Sequence, residues 1–98
     1  MKILALEKEL HNKLLDPVDS LLKAEAERLW ELQQSGFVRE AYFNENDHTA
    51  VLVLESINIE TARLVLSSLP LVETGWIEFE VIPLVPYNGY ARLFTREI

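Results

Sequence analysis

Two side chains carry an ionisable group into apolar surroundings. Glu25 lies three residues after Leu22 and four before Leu29, near the middle of the apolar stripe of a predicted helix. A carboxyl pressed against a sheet in that position loses hydration, its pKa rises, and it becomes a usable general acid or base near neutral pH. Arg39 lies on a predicted strand among apolar neighbours, where a fixed guanidinium can hold a substrate carboxylate through two parallel hydrogen bonds. Both residues also have a structural reading. Glu25 can pair with a surface arginine or with Arg39, and Arg39 can bridge to Glu25, Glu78 or Glu80, since half-buried charges are usually paired. Glu40 and Tyr42 share one face of the Arg39 strand. Tyr42 there can donate to a developing enolate, or the two can form plain sheet wall or an interface, where tyrosine is common.

Other chemistries lack their residues. There is no cysteine, and His11 and His48 are the only histidines, so neither a thiolate site nor a metal-ligand spacing exists. His48 falls in a polar turn, and Trp30 and Trp76 read as packing or interface residues. No glycine-rich phosphate loop, nucleophile elbow or paired-carboxylate motif is present, and no cofactor is expected. With nine Lys and Arg scattered among sixteen Asp and Glu, for a net charge of -7, the chain has no basic patch for nucleic acid. No apolar run approaches the roughly 20 residues of a membrane span, and the run at Met1–Leu6 breaks at Glu7, short of a signal core. A cytoplasmic, soluble protein is expected.

The elements that position these residues follow from periodicity. With 98 residues, 49% of them hydrophobic, there is room for one domain with a real core. Lys2 to Lys8 alternates Ile3, Ala5 and Glu7 against Leu4 and Leu6 and reads as a first strand. Asp16 as N-cap, Pro17 at the first helical position and Asp19 in the first turn start a helix that runs to about Ser35, with Gly36 just beyond. Its stripe is Val18, Leu21, Leu22, Ala26, Leu29 and Leu32. Phe37 to Phe43 forms a strand with Phe37, Arg39, Ala41 and Phe43 on one side and Val38, Glu40 and Tyr42 on the other. A polar turn, Asn44 to His48, leads into Thr49–Glu55, where Ala50, Leu52 and Leu54 point one way and Val51 and Val53 the other. Asn58, or alternatively Ser56, caps a second helix with the stripe Ile59, Ala62, Val65, Leu66 and Leu69, stopped by Pro70. After a turn over 71–75, Trp76 to Ile82 is the fourth strand. Pro83 and Pro86 remove ladder donors and keep Leu84 to Tyr87 at an edge or against another chain. Residues 1–86 form the expected domain, and 87–98 a tail packed on its own subunit or a neighbour.

Strand, helix, strand, strand, helix, strand is the βαββαβ order of a ferredoxin-like α+β fold with an antiparallel four-stranded sheet. Two helices cover one face of such a sheet, and the other still carries apolar residues, so a homodimer or larger homo-oligomer paired through sheets is expected.

In this order, Leu22-Lys23-Ala24-Glu25, Gly36 followed by Arg39, Ser68-Leu69-Pro70-Leu71 and Ile77-Glu78-Phe79-Glu80-Val81 resemble the muconolactone isomerase-like group of dimeric α+β barrel proteins. The resemblance implies cofactor-free proton transfer that shifts a double bond in an unsaturated lactone or enolisable carbonyl compound, with Glu25 moving the proton and Arg39 orienting the anion. Where the family carries Lys-Ala-Asp-Glu, this chain has Lys23-Ala24-Glu25-Ala26, and the tail from Tyr87 differs from theirs. The same barrels also host cofactor-independent monooxygenases. A non-catalytic small-molecule-binding or assembly protein is the third reading, and it predicts Glu25 neutralised by Arg39 with no adjoining cavity.

Overall fold

Alternating apolar residues give two strands, Lys2–Glu9 (β1) and Ala50–Glu55 (β3), a choice of faces, and their pairing shows which face meets the helices. The computed structural model describes residues 1–10 and 17–95. Around β1 and β3 lie a helix Asp19–Gln34 (α1), a strand Val38–Phe43 (β2), helices Ile59–Leu66 (α2) and Pro70–Glu73 (α3), and a strand Ile77–Leu84 (β4). The four strands make one antiparallel sheet in the order β2, β3, β1, β4. This is the ferredoxin-like arrangement, with α3 added between the second helix and the last strand.

Register assigns the faces. Ile3 lies opposite Leu54 and Ala5 opposite both Leu52 and Val81, so these side chains share the face that the helices cover. Ile3, Ala5, Leu52, Leu54 and Val38 pack there with Leu32 of α1, Ala62 and Leu66 of α2, and Leu69. Each fully buried leucine or isoleucine contributes about 1.5–3 kcal/mol from its removal from water. The opposite face carries Leu4, Leu6, Val51, Val53 and Ile82, all half-buried, with Glu40 and Tyr42 beside Val53 and Val51. No described helix lies over that side, and none is long and apolar enough to cross a membrane.

Three local features depart from the predicted pattern. First, α1 begins at Asp19, with Val18 as N-cap; its carbonyl accepts from Leu21 N–H at 3.0 Å and Leu22 N–H at 3.1 Å. Pro17 therefore precedes the cap and is not the first helical residue, while Asp16 lies outside the described residues. The helix is also rotated from the predicted stripe. Val18 is 65% and Leu22 44% exposed, and Ala26 is exposed, whereas Leu21, Glu25, Arg28, Leu29 and Leu32 face inward. Two ties from the inner face set this rotation: Arg28 Nε donates to Ser68 Oγ at 3.0 Å, and Glu25 accepts from the Leu71 amide.

Second, β2 contains a bulge. Val38 lies opposite Leu54, but Glu40 lies opposite Val53, so Arg39 is the extra residue and strict alternation fails there. Val38 consequently joins Ala41 and Phe43 on the helix side, away from Glu40 and Tyr42, with which alternation had grouped it. Third, Pro70 starts α3 as well as following α2. Its fixed φ and missing N–H suit the first position of a helix. Asn58 does cap α2, its side chain accepting from Thr61 N–H at 2.7 Å.

β4 is an edge strand, which accommodates Pro83. Beyond it, Gly89–Leu93 forms a 3₁₀ turn, with the Tyr87 and Tyr90 rings edge to face at 4.7 Å. Val85, Leu93 and Phe94 are more than three-quarters exposed.

Leu54→Ala is expected to lower stability by about 3 kcal/mol and Asn58→Ala by about 1 kcal/mol, both read from urea unfolding midpoints. A Leu54→Ala protein as stable as wild type would contradict the helix-side core.

Candidate functional site

The alternation that buries Ile3 and Ala5 brings Glu7 onto the same side of β1. Its Oε1 accepts from the Ala50 amide at 3.1 Å, at the start of β3. Across the gap, Glu25 occupies the inner face of α1, and its Oε1 accepts from Leu71 N–H at 2.8 Å, joining α1 to α3. Both residues are half-buried. Desolvation pushes the Glu25 carboxyl above the ordinary glutamate range; the Leu71 amide pulls it back in part, and the charge of Glu7 raises it further. Glu7 is raised in the same way, by burial first, against the Ala50 amide; Glu9 and Asp47 add to the rise and His48 opposes it.

Neither acid forms an ion pair among the described residues. The described ion pairs are Met1 ammonium to Glu55, Lys8 to Glu80 and Arg28 to Glu31. Each of these half-buried carboxyls thus has one backbone donor, Ala50 N–H for Glu7 and Leu71 N–H for Glu25. Burial favours the protonated form of Glu25 relative to an exposed glutamate, the direction that suits a general acid or base.

A shallow hollow of about 120 Å³ opens beside the pair, lined by Leu29, Ala41, Tyr42, Phe43, Ala50 and Leu52. Ala50 belongs to both features, since its amide holds Glu7 while the residue lines the hollow. Leu29 is one helical turn beyond Glu25. Neither glutamate lines the hollow itself. A larger hollow of about 230 Å³ lies between α2, α3 and β4 and includes Arg63, Phe79 and Val81.

The four residues selected from sequence fall in three places. Glu25 is in the acidic gap. Arg39, in the bulge, donates from Nε to the Gly36 carbonyl at 2.8 Å and is exposed; its charge acts on Glu55. Glu55 ends β3, and Arg39 forms no ion pair with Glu25. Nor does Arg39 bridge to Glu78 or Glu80. Glu40 and Tyr42 lie on the sheet face away from the helices, where the Tyr42 hydroxyl donates to Glu40 and is held above the ordinary tyrosine range by that bond. His48 has a left-handed backbone (φ 60°) and stacks on Phe43 at 3.9 Å. Among the described residues no group of three His, Cys, Asp or Glu is placed to hold a metal ion.

Glu7 is the residue that sequence reasoning passed over. Its signal was its phase, as an acid continuing the period-two series of Ile3 and Ala5.

Comparison of the sequence with family profiles returns no match, and comparison with curated proteins returns none. The fold is similar to a crystal structure of muconolactone isomerase, with a TM-score of 0.75 and 21% identity, over 91% of this chain and 93% of that one. The resemblance carried by the sequence motifs is thereby shown at the level of the fold.

Because both glutamates titrate higher in the folded chain than when unfolded, the folded state binds more protons, and stability falls as pH rises from about 4.3 through their raised pKa values. Glu25→Gln, which keeps an acceptor for Leu71 N–H, is expected to flatten that decline and to be more stable than wild type at pH 7. Urea unfolding between pH 4.5 and 7.5 checks this; parallel profiles for both proteins would contradict it.

Proposed function

We propose that this chain is a small cofactor-free isomerase-like enzyme that transfers a proton on an unsaturated lactone or another enolisable carbonyl compound. The observation that carries this reading is Glu25: a half-buried carboxyl without an ion pair among the described residues, fixed by the Leu71 amide and one turn from an apolar hollow. The similarity to a muconolactone isomerase structure supports it at the level of fold. In the proposed reaction the Glu25 carboxylate takes a proton from the carbon next to the carbonyl. The C–H electron pair passes into the enolate, and the Glu25 carboxyl, after exchanging its proton with water, protonates the carbon at the far end of the conjugated system. The double bond moves and Glu25 ends as it began. Arg39 forms no ion pair with Glu25 of the same chain.

We also propose that the chain works as a homodimer or larger ring paired through the open sheet face. Leu4, Leu6, Val51, Val53 and Ile82 form a contiguous apolar surface there, flanked by Tyr42 and Leu84. A second copy removes that surface from water. The exposed apolar side chains of the tail extend the surface available for such pairing.

Incubation with unsaturated lactones in D₂O, followed by proton NMR, is expected to show double-bond migration with deuterium exchange. Glu25→Gln should slow it by about 100-fold or more. Equal rates in the two proteins would remove Glu25 from the reaction. Sedimentation velocity is expected to find wild type as a dimer or larger and Val53→Lys as a folded monomer; a monomeric wild type at tens of micromolar would refute the assembly.

A further inference from the structure

The free edge of β4 is not chemically uniform along its length. Just beyond β1, Leu10 N–H donates to the Trp76 carbonyl at 3.3 Å, one step outside the pair formed by Glu9 and Ile77. Bonded and unbonded pairs alternate along an antiparallel ladder. Glu78, Glu80 and Ile82 therefore exchange backbone bonds with Lys8, Leu6 and Leu4, while Ile77, Phe79 and Val81 turn their N–H and C=O groups away from β1. The β3 side of β1 fixes the same phase. There Ser56 N–H donates to the Met1 carbonyl at 3.0 Å, so Ile3 and Ala5 turn their backbone groups toward β3 and leave those of Leu4 and Leu6 for β4. Pro83 agrees, since its position opposite Ile3 needs no N–H.

Phe79 and Val81 thus present open backbone groups at the edge, with no hydrogen bond to another element among the described residues. Their side chains point to the helix side and line the hollow of about 230 Å³ between α2, α3 and β4. Leu66 and Val72 supply further apolar wall, and Arg63 stands on its α2 side. Leu66 is three residues after Arg63 and shares its face of the helix. The Arg63 side chain has neither an ion pair nor a hydrogen bond among the described residues. Glu78 also borders the hollow, but its side chain alternates to the outer face with Glu80, which pairs with Lys8. One groove therefore joins open backbone donors and acceptors, an apolar recess and a cation. Pro83 closes it beyond Val81, having no N–H to offer an added strand.

We propose that this groove binds an extended acidic peptide, which adds a short strand of about five residues to the edge of β4. One large apolar side chain of the peptide enters the recess beside Phe79 and Val81. An Asp or Glu two residues away, on the same face of the added strand, pairs with Arg63. Residues two apart on a strand are separated by about 6.7 Å, close to the helical turn of about 5.4 Å that carries α2 from Arg63 to the recess. A strand satisfies the open N–H and C=O groups of Phe79 and Val81, which a compact small molecule leaves unmet, and Arg63 selects the charge. The groove shares no lining residue with the hollow near Glu25 and makes no use of that carboxyl.

Amide hydrogen exchange of the full chain, followed by ¹⁵N NMR, tests the groove. In the free protein the Phe79 and Val81 amides should exchange at least about tenfold faster than those of Glu78, Glu80 and Ile82. The probe is a pool of blocked hexapeptides, each with a leucine, isoleucine, valine or phenylalanine two residues from an acid, in either order, and threonine elsewhere. At about 1 mM this pool should slow exchange at Phe79 and Val81. A matched pool with lysine in place of the acid should bind about tenfold more weakly. Arg63→Gln should abolish that preference and keep the edge protection, and acidic peptides N-methylated on alternate backbone nitrogens should give none. Slow exchange at Phe79 and Val81 in the free protein, no slowing by the acidic pool, equal binding of the two pools to wild type, or protection by the N-methylated peptides overturns the proposal. So does protection that grows with protein concentration in the absence of peptide, which makes a second copy of this chain the occupant of the edge.

Discussion

β1 lies between β3 and β4 and pairs antiparallel with both, so the directions of Lys2 to Leu6 are fixed twice and those of Glu7 to Glu9 by β4. A one-residue slip against either neighbour would expose Ile3 and Ala5 and drive Leu4 and Leu6 under the helices. The same constraint carries Glu7 to the helix side, because an eight-residue strand that buries Ile3 and Ala5 directs Glu7 there too. At that end Glu7 meets the first amide of β3 and the field of Glu25. The acidic gap is therefore a consequence of strand pairing as much as of any local preference of its residues.

Such a gap works against stability. Two carboxyls that lose hydration without gaining an ion pair make the fold less stable at neutral pH than two neutral residues of similar shape would. Opposing this, Glu25 links α1 to α3 through the Leu71 amide, and Arg28 links the same helix face to Ser68. These ties hold α1 over the β2–β3 half of the sheet although Val18 and Leu22 remain in water. The helix is seated by polar contacts along its middle and by Leu29 and Leu32 near its end.

Much of the architecture was legible because it rests on period and punctuation. Alternation grouped Ile3 with Ala5 and Leu52 with Leu54; Asn58 marked the start of α2 and Gly36 the end of α1. Glu25 was visible as an acid inside an apolar stripe. What escaped was set by tertiary geometry. The rotation of α1 depends on Ser68 and Leu71, which lie 40 and 46 residues from their partners in sequence. Arg39 was placed by strict alternation, which a bulge interrupts without a glycine or proline to announce it. Glu7 required knowing that α1 brings a second carboxyl over the same end of β1. No local pattern contains that information.

The bulge at Arg39 has a further effect on β2. It acts as a phase shifter within the strand, since one uncounted residue lets Val38 and Ala41, three apart, serve the same face. The strand can thus enter from α1 with Val38 in the core and still deliver Glu40 and Tyr42 outward. Removing Arg39 would restore ordinary alternation and leave the two sides of β2 as they are, whereas a regular strand that kept all its residues would exchange them relative to Val38. In this short edge strand the bulge reconciles a buried entry residue with an outer surface that displays Glu40 and Tyr42.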